Sequence, residues 1–116
     1  MKKIMIAVLG LLCGIIIGTR FPLQIPAAYS KYVALAALAA LDTVIGGTKA
    51  GLQSRFDYKI FISGFLLNAV VAAAIAYMGD KLGVELYLAA IVAFGVRIFQ
   101  NISAIRIMLI EGRKDQ

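Results

Sequence analysis

The chain contains no histidine and no tryptophan, a single cysteine and two prolines. With only Cys13, a disulfide within the chain is excluded, and a His- or Cys-based metal site is not expected. Cys13 lies in an apolar run and reads as a small packing residue. Ser30, Ser54, Ser63 and Ser103 have no imidazole to activate them. There is no glycine-rich phosphate loop, no H-E-x-x-H, no G-x-S-x-G and no carboxylate pair with a nearby base. Asp80 and Glu85 could come close, but Lys81 stands between them, and they read as a solvated cap and turn. The chain is therefore expected to be no enzyme and to need no cofactor or metal. Charge is scarce as well, at 16% of residues, against about 25% in soluble domains.

Apolar residues fill the space that charge leaves, at 62% of the 116 residues. They fall into runs that predict an all-α, polytopic membrane protein with four transmembrane helices in one domain, residues 1–116. The helices are expected at about 4–19, 32–47, 60–78 and 84–105, with a polar tail at 107–116. The first run is short for a hydrocarbon core of about 30 Å, and flanking Lys2, Lys3 and Arg20 can snorkel to extend it. A cleaved signal peptide is the rival reading of this segment. No A-x-A site follows, and the residues before Cys13 do not suit a lipoprotein, so a retained helix is expected. Pro22 and Pro26 place a loop over 21–31, with Tyr29 and Tyr32 as interfacial anchors. Gly46 and Gly47 read as a helix break, followed by a basic loop over 48–59. Residues 79–83 read as a tight turn.

The net charge of +6 sits mostly at the ends of apolar runs. That placement suits lipid headgroups rather than nucleic acid. With four spans, Lys2, Lys3, Lys49, Arg55, Lys59, Arg106, Arg113 and Lys114 share one side, against Arg20, Lys31 and Lys81 on the other. The bias predicts that both termini are cytoplasmic.

Each run carries small residues three and four apart: Gly10, Gly14 and Gly18; Ala36, Ala40, Thr43 and Gly47; Gly64, Asn68, Ala72 and Ala76; Ala90, Ala93, Arg97, Asn101 and Ala104. In lipid, small residues allow helix backbones to approach closely. The stripes predict packing within the chain. The three glycines of the first helix could also face another subunit or another membrane protein.

Asp42, Asn68 and Arg97 are strongly polar residues inside apolar runs. A charge near the bilayer centre costs roughly 2.5–3.5 kcal/mol or more, so opposite charges on separate helices should pair. At a rise of about 1.5 Å per residue, Asp42 lies about 10 Å from the cytoplasmic face, and Asn68 and Arg97 about 13 Å. Asn101 is shallower. A register-fixing ion pair with an adjacent amide is the first reading, a substrate or ion site on the same residues is the second, and partner docking with a charge left for a neighbouring subunit is the third. Removing Asp42 alone is expected to strand Arg97.

The ordered set Leu38–Asp42, Gly46–Ala50, Phe56-Asp57, Phe61, Gly64-Phe65, Asn68, Gly79–Gly83, Leu86–Ala90 and Phe94–Asn101 resembles the small basic protein family of Gram-positive bacteria, a domain family of unknown function. The resemblance covers roughly residues 4–106. It implies an inner-membrane protein encoded near cell-division genes, with no established activity. The family's L-D-x-x-x-G-G aspartate falls on Asp42 and its F-G-x-R arginine on Arg97. Two functions follow as expectations. One is a non-catalytic scaffold or interaction subunit, partnered by the bilayer and by copies of itself or other membrane proteins. The other is an oligomeric channel or transporter with an Asp42/Arg97 layer at a subunit interface.

Overall fold

The computed structural model describes residues 2–21 and 24–112 and is all-helical among them. Four helices follow one another: α1 (Lys2–Arg20), α2 (Ala27–Leu52), α3 (Tyr58–Leu82) and α4 (Tyr87–Glu111). The last three are long and apolar enough to cross a membrane, and α1 is a shorter apolar helix. At about 1.5 Å per residue, the 25 or 26 residues of each long helix exceed the hydrocarbon thickness.

The helices are longer than the hydropathy runs because the capping chemistry lies outside the apolar stretch. Pro26 is the N-cap of α2; its fixed φ and missing N–H suit a helix start. Tyr29 and Lys31 therefore lie in helix rather than in the expected loop. Asp57 caps α3, its carboxylate accepting from the Lys59 and Ile60 backbone N–H groups at 2.8 and 3.3 Å. The 48–59 loop shrinks accordingly to residues 53–57. Asp57→Ala should cost about 1 kcal/mol, read as a lower unfolding midpoint on SDS titration in mixed micelles. Helix α3 runs through the expected turn to Leu82 and ends on Gly83 at φ 73°, where a glycine escapes the Cβ clash of the left-handed region. Helix α4 begins at Tyr87 and continues to Glu111, through much of the expected polar tail. Pro22 and residues 113–116 lie outside the described residues.

The expected break at Gly46-Gly47 does not occur: α2 passes through both glycines unbroken. Their role is close approach rather than termination. A Cβ on Gly47 would sit 2.8 Å from Ile4 Cδ1 and 2.9 Å from Phe61 Cδ2, and one on Gly46 would sit 3.6 Å from Asn101 Nδ2. Missing side chains at these positions let α1, α3 and α4 close on α2.

Helix α2 is central, packing most extensively on α4 and α3 and touching α1 as well. The core is thin and built around Leu35, Ala39, Ala72, Ala76, Ala90 and Phe94. The third small-residue stripe is the interface in part, since Ala72 and Ala76 are buried. The second and fourth stripes belong to the interface only in part, since Gly47 and Ala90 are buried. Ala36, Ala93 and Arg97 are exposed, and Leu35, Ala39, Asp42, Phe94 and Ile98 are buried in their place. The reason is that Phe94 and Ile98 bury far more area than alanines can, so they set the rotation of α4.

Helix α1 is joined to the rest through its first three turns. Ile4 is buried and Ala7, Val8 and Leu11 are half-buried, spaced as one helical face, whereas residues 12–20 are exposed. Nothing comes within 4 Å of a Cβ built on Gly10, Gly14 or Gly18. The glycine stripe does not pack within the chain.

Candidate functional site

The up-down course of the helices puts the start of α1, the end of α2, the start of α3 and the end of α4 at one end of the bundle. Ile4, Gly47 and Phe61 meet there. The other end is clamped by Asp80, which pairs with Lys31 and accepts from the Tyr32 hydroxyl at 2.7 Å. The Lys31 ammonium also sits 5.0 Å from the centre of the Tyr87 ring. Asp80 therefore joins α3 to α2 rather than serving as an isolated solvated cap.

At the first end, α2, α3, α4 and the 53–57 loop surround a cleft of about 230 Å³. Asp42, Asn68, Arg97, Gly46 and Gly47 all line it, so the tertiary structure gathers five of the residues singled out from the sequence. Asn101 faces Gly46 across the α2–α4 contact and is not part of the lining. Gly10, Gly14 and Gly18 lie away from it on α1.

The charge pair at its base is asymmetric. Arg97 Nη2 donates to Asp42 Oδ2 at 2.7 Å. The Asp42 side chain is 0% exposed and that of Arg97 51%. Asp42 faces inward because it follows Leu35 and Ala39 along the face of α2 that packs on α3 and α4. Arg97 lies one position before buried Ile98, which turns its Cα outward, and the long side chain reaches back to the aspartate. The contact is through one oxygen only. Asp42 Oδ1 is buried and has no hydrogen-bond partner. A guanidinium carries five N–H donors in a fork that suits two-point carboxylate contact, so a one-point contact leaves polar capacity on both partners.

Hydropathy did not single out the remaining lining. Arg55 comes from the loop and is held by Gln53 Oε1, which accepts from its Nη2 at 2.7 Å. Phe56 tilts against Phe61 at a centroid distance of 5.4 Å, forming an apolar wall with Ile60. Thr43 returns its hydroxyl to the Ala39 carbonyl at 2.8 Å, and Gly64 leaves open space beside it. A helix period says which way a residue points, but a loop residue such as Arg55 has no period. The nearest sequence signal was the charged pair Arg55 and Asp57 flanking an aromatic. Among the described residues, no group of His, Cys, Asp or Glu is arranged to hold a metal ion.

Residues 25–110 match the model of a family described as "Protein of unknown function (DUF1290)". The chain is 57% identical over 99 residues to the small basic protein of Bacillus subtilis (strain 168), covering 85% of this chain and 82% of that protein. It is 44% identical over 104 residues to an uncharacterized protein of Mycobacterium tuberculosis (strain ATCC 25618 / H37Rv), covering 88% and 86%. No solved structure matches.

Proposed function

The chain belongs to the DUF1290 family of small basic proteins, whose activity is not established, and we propose that it is a non-catalytic interaction subunit of the bacterial inner membrane. In this reading all four helices span the bilayer and both termini are cytoplasmic, as the distribution of Lys and Arg favours. Helix α1, with its 19 residues spanning about 28 Å, docks a transmembrane helix of another membrane protein. That partner belongs to the division or envelope-assembly machinery, the context that the family resemblance implies.

The observation that carries the proposal is the state of α1. Residues 12–20 of the helix are exposed, and its three glycines have open space beside them. Lipid gains little from a glycine stripe, whereas a second helix gains close van der Waals contact. The channel reading has weaker support, because Asp42 is enclosed within one bundle and paired within its own chain rather than set at an outer face.

A photo-crosslinking residue placed at Gly14 should trap a protein adduct in native membranes, and the same residue at Leu67, exposed on α3, should not. Gly14→Leu should reduce co-purification of that adduct's partner by tenfold or more while leaving the chain's own unfolding midpoint unchanged. A monomer that gives no adduct at Gly14 overturns the proposal. An adduct of twice the chain's mass replaces the foreign partner with a second copy.

A further inference from the structure

We propose that the cleft at the Asp42–Arg97 pair binds a compact zwitterion, a molecule carrying an ammonium group within a few bonds of an oxyanion. Asp42 Oδ1 is buried without a partner at the base of the cleft. Buried acceptors are almost always satisfied, so an orphan inside an accessible cleft marks the place of a donor. Beside it, Arg97 gives one N–H to Asp42 Oδ2 and remains half exposed. A guanidinium with that much unused donor capacity favours an oxyanion. Donor-seeking and acceptor-seeking groups thus stand side by side on two helices.

The charge of the lining narrows the ligand class. Two carboxylates, Asp42 and Asp57, face two guanidinium groups, Arg55 and Arg97. A net cation at Asp42 is repelled by the like charge of Arg97. A net anion at Arg97 leaves Asp42 Oδ1 without a donor. A zwitterion answers both groups and adds no net charge to a site whose lining is already balanced. Phe56, Ile60 and Phe61 give the cleft an apolar wall beside the charged groups. The volume of about 230 Å³ lies below the range of about 300–1,000 Å³ that holds drug-sized ligands, so the molecule is small. The inference does not depend on α1 having a partner.

Two sources share this chemistry: a soluble amino acid or glycerophosphoethanolamine, and the phosphodiester-linked ethanolamine headgroup of a lipid. The test uses the full chain in nanodiscs of phosphatidylglycerol alone, with binding read by saturation-transfer NMR and titration calorimetry. Glycine and glycerophosphoethanolamine are the zwitterionic probes, and ethylammonium, acetate and dimethyl phosphate are their singly functional counterparts. At least one zwitterion should bind saturably, with each counterpart tenfold weaker or more. Arg55→Gln, in the exposed loop, should weaken binding severalfold without moving the unfolding midpoint. Asp42→Asn with Arg97→Gln should abolish it. Adding phosphatidylethanolamine to the discs should displace the soluble probe if the headgroup is the natural ligand, and leave it bound if the soluble molecule is. Equal binding of singly charged probes, or water alone in the cleft with no saturable zwitterion binding, overturns the inference. Neither outcome alters the crosslinking result expected at Gly14.

Discussion

Arg97→Gln should destabilise the chain by about 3 kcal/mol, more than Asp42→Asn, which should cost about 1–2 kcal/mol. The sequence alone suggested that losing Asp42 strands an arginine. The exposures make the loss of Arg97 the costlier change. The Asp42 side chain is 0% exposed, so removing the guanidinium leaves a buried carboxylate without its counter-charge. Arg97 is half exposed, so it can be solvated through the cleft when Asp42 is neutralised. Removing one partner of a buried pair costs about 3–5 kcal/mol, and the exposure of Arg97 puts this pair at the lower end. The double variant should be less damaged than the sum of the singles by about 1–2 kcal/mol, because neither change then leaves a charge behind. SDS-titration unfolding of the four proteins in mixed micelles measures all three quantities. Strict additivity would show that the two residues do not couple, and a more severe Asp42→Asn would show that Arg97 is the enclosed partner.

Gly79→Ala should cost about 3 kcal/mol or prevent α3 and α4 from pairing. The turn after α3 folds back over this glycine. The Val84 N–H donates to the Gly79 carbonyl at 2.9 Å, and Gly83 caps onto the same oxygen. A Cβ at residue 79 would lie 2.5 Å from the Val84 carbonyl oxygen and 2.9 Å from the Leu86 backbone nitrogen. Backbone atoms cannot rotate out of the way as a side-chain terminus can, so the whole turn must shift. Gly64→Ala is the matched control. Nothing lies within 4 Å of a Cβ there, and alanine is the better helix former by about 1 kcal/mol, so that variant should be neutral or slightly stabilised. Thermal unfolding in one detergent separates the two. A Gly79→Ala protein as stable as Gly64→Ala would mean that the turn has slack.

Gly47 shows why the two kinds of glycine differ. Its would-be Cβ meets Ile4 Cδ1 and the Phe61 ring edge, both of which are ends of movable side chains. Substitution there should loosen α1 rather than break the bundle. From the sequence, Gly46-Gly47 and Gly79 look alike, as breakers near helix ends. Only the neighbours distinguish a glycine under side-chain tips from one under a backbone turn.

The sequence by itself determined the fold class, the family and the identity of the polar residues. The fold class and the polar residues rest on composition and on runs long enough to be apolar helices, which depend on each residue's own transfer free energy and need no knowledge of neighbours, whereas the family rests on the ordered set of motifs from Leu38 to Asn101. It also singled out Asp42, Asn68 and Arg97, because charges and amides inside apolar runs must find partners. The tertiary structure decided three further points. It set the helix bounds, because Pro26, Asp57 and Gly83 act through backbone caps beyond the hydropathy edges. It set the rotation of α2 and α4, which buries Leu35, Phe94 and Ile98 and, of the small-residue stripes, only Gly47 and Ala90. It also made the Asp42–Arg97 pair one-sided and open to a cleft completed by Arg55 and Phe56 from a loop. Helical period orders residues along one helix, whereas burial at a meeting of three helices and a loop depends on how they are packed.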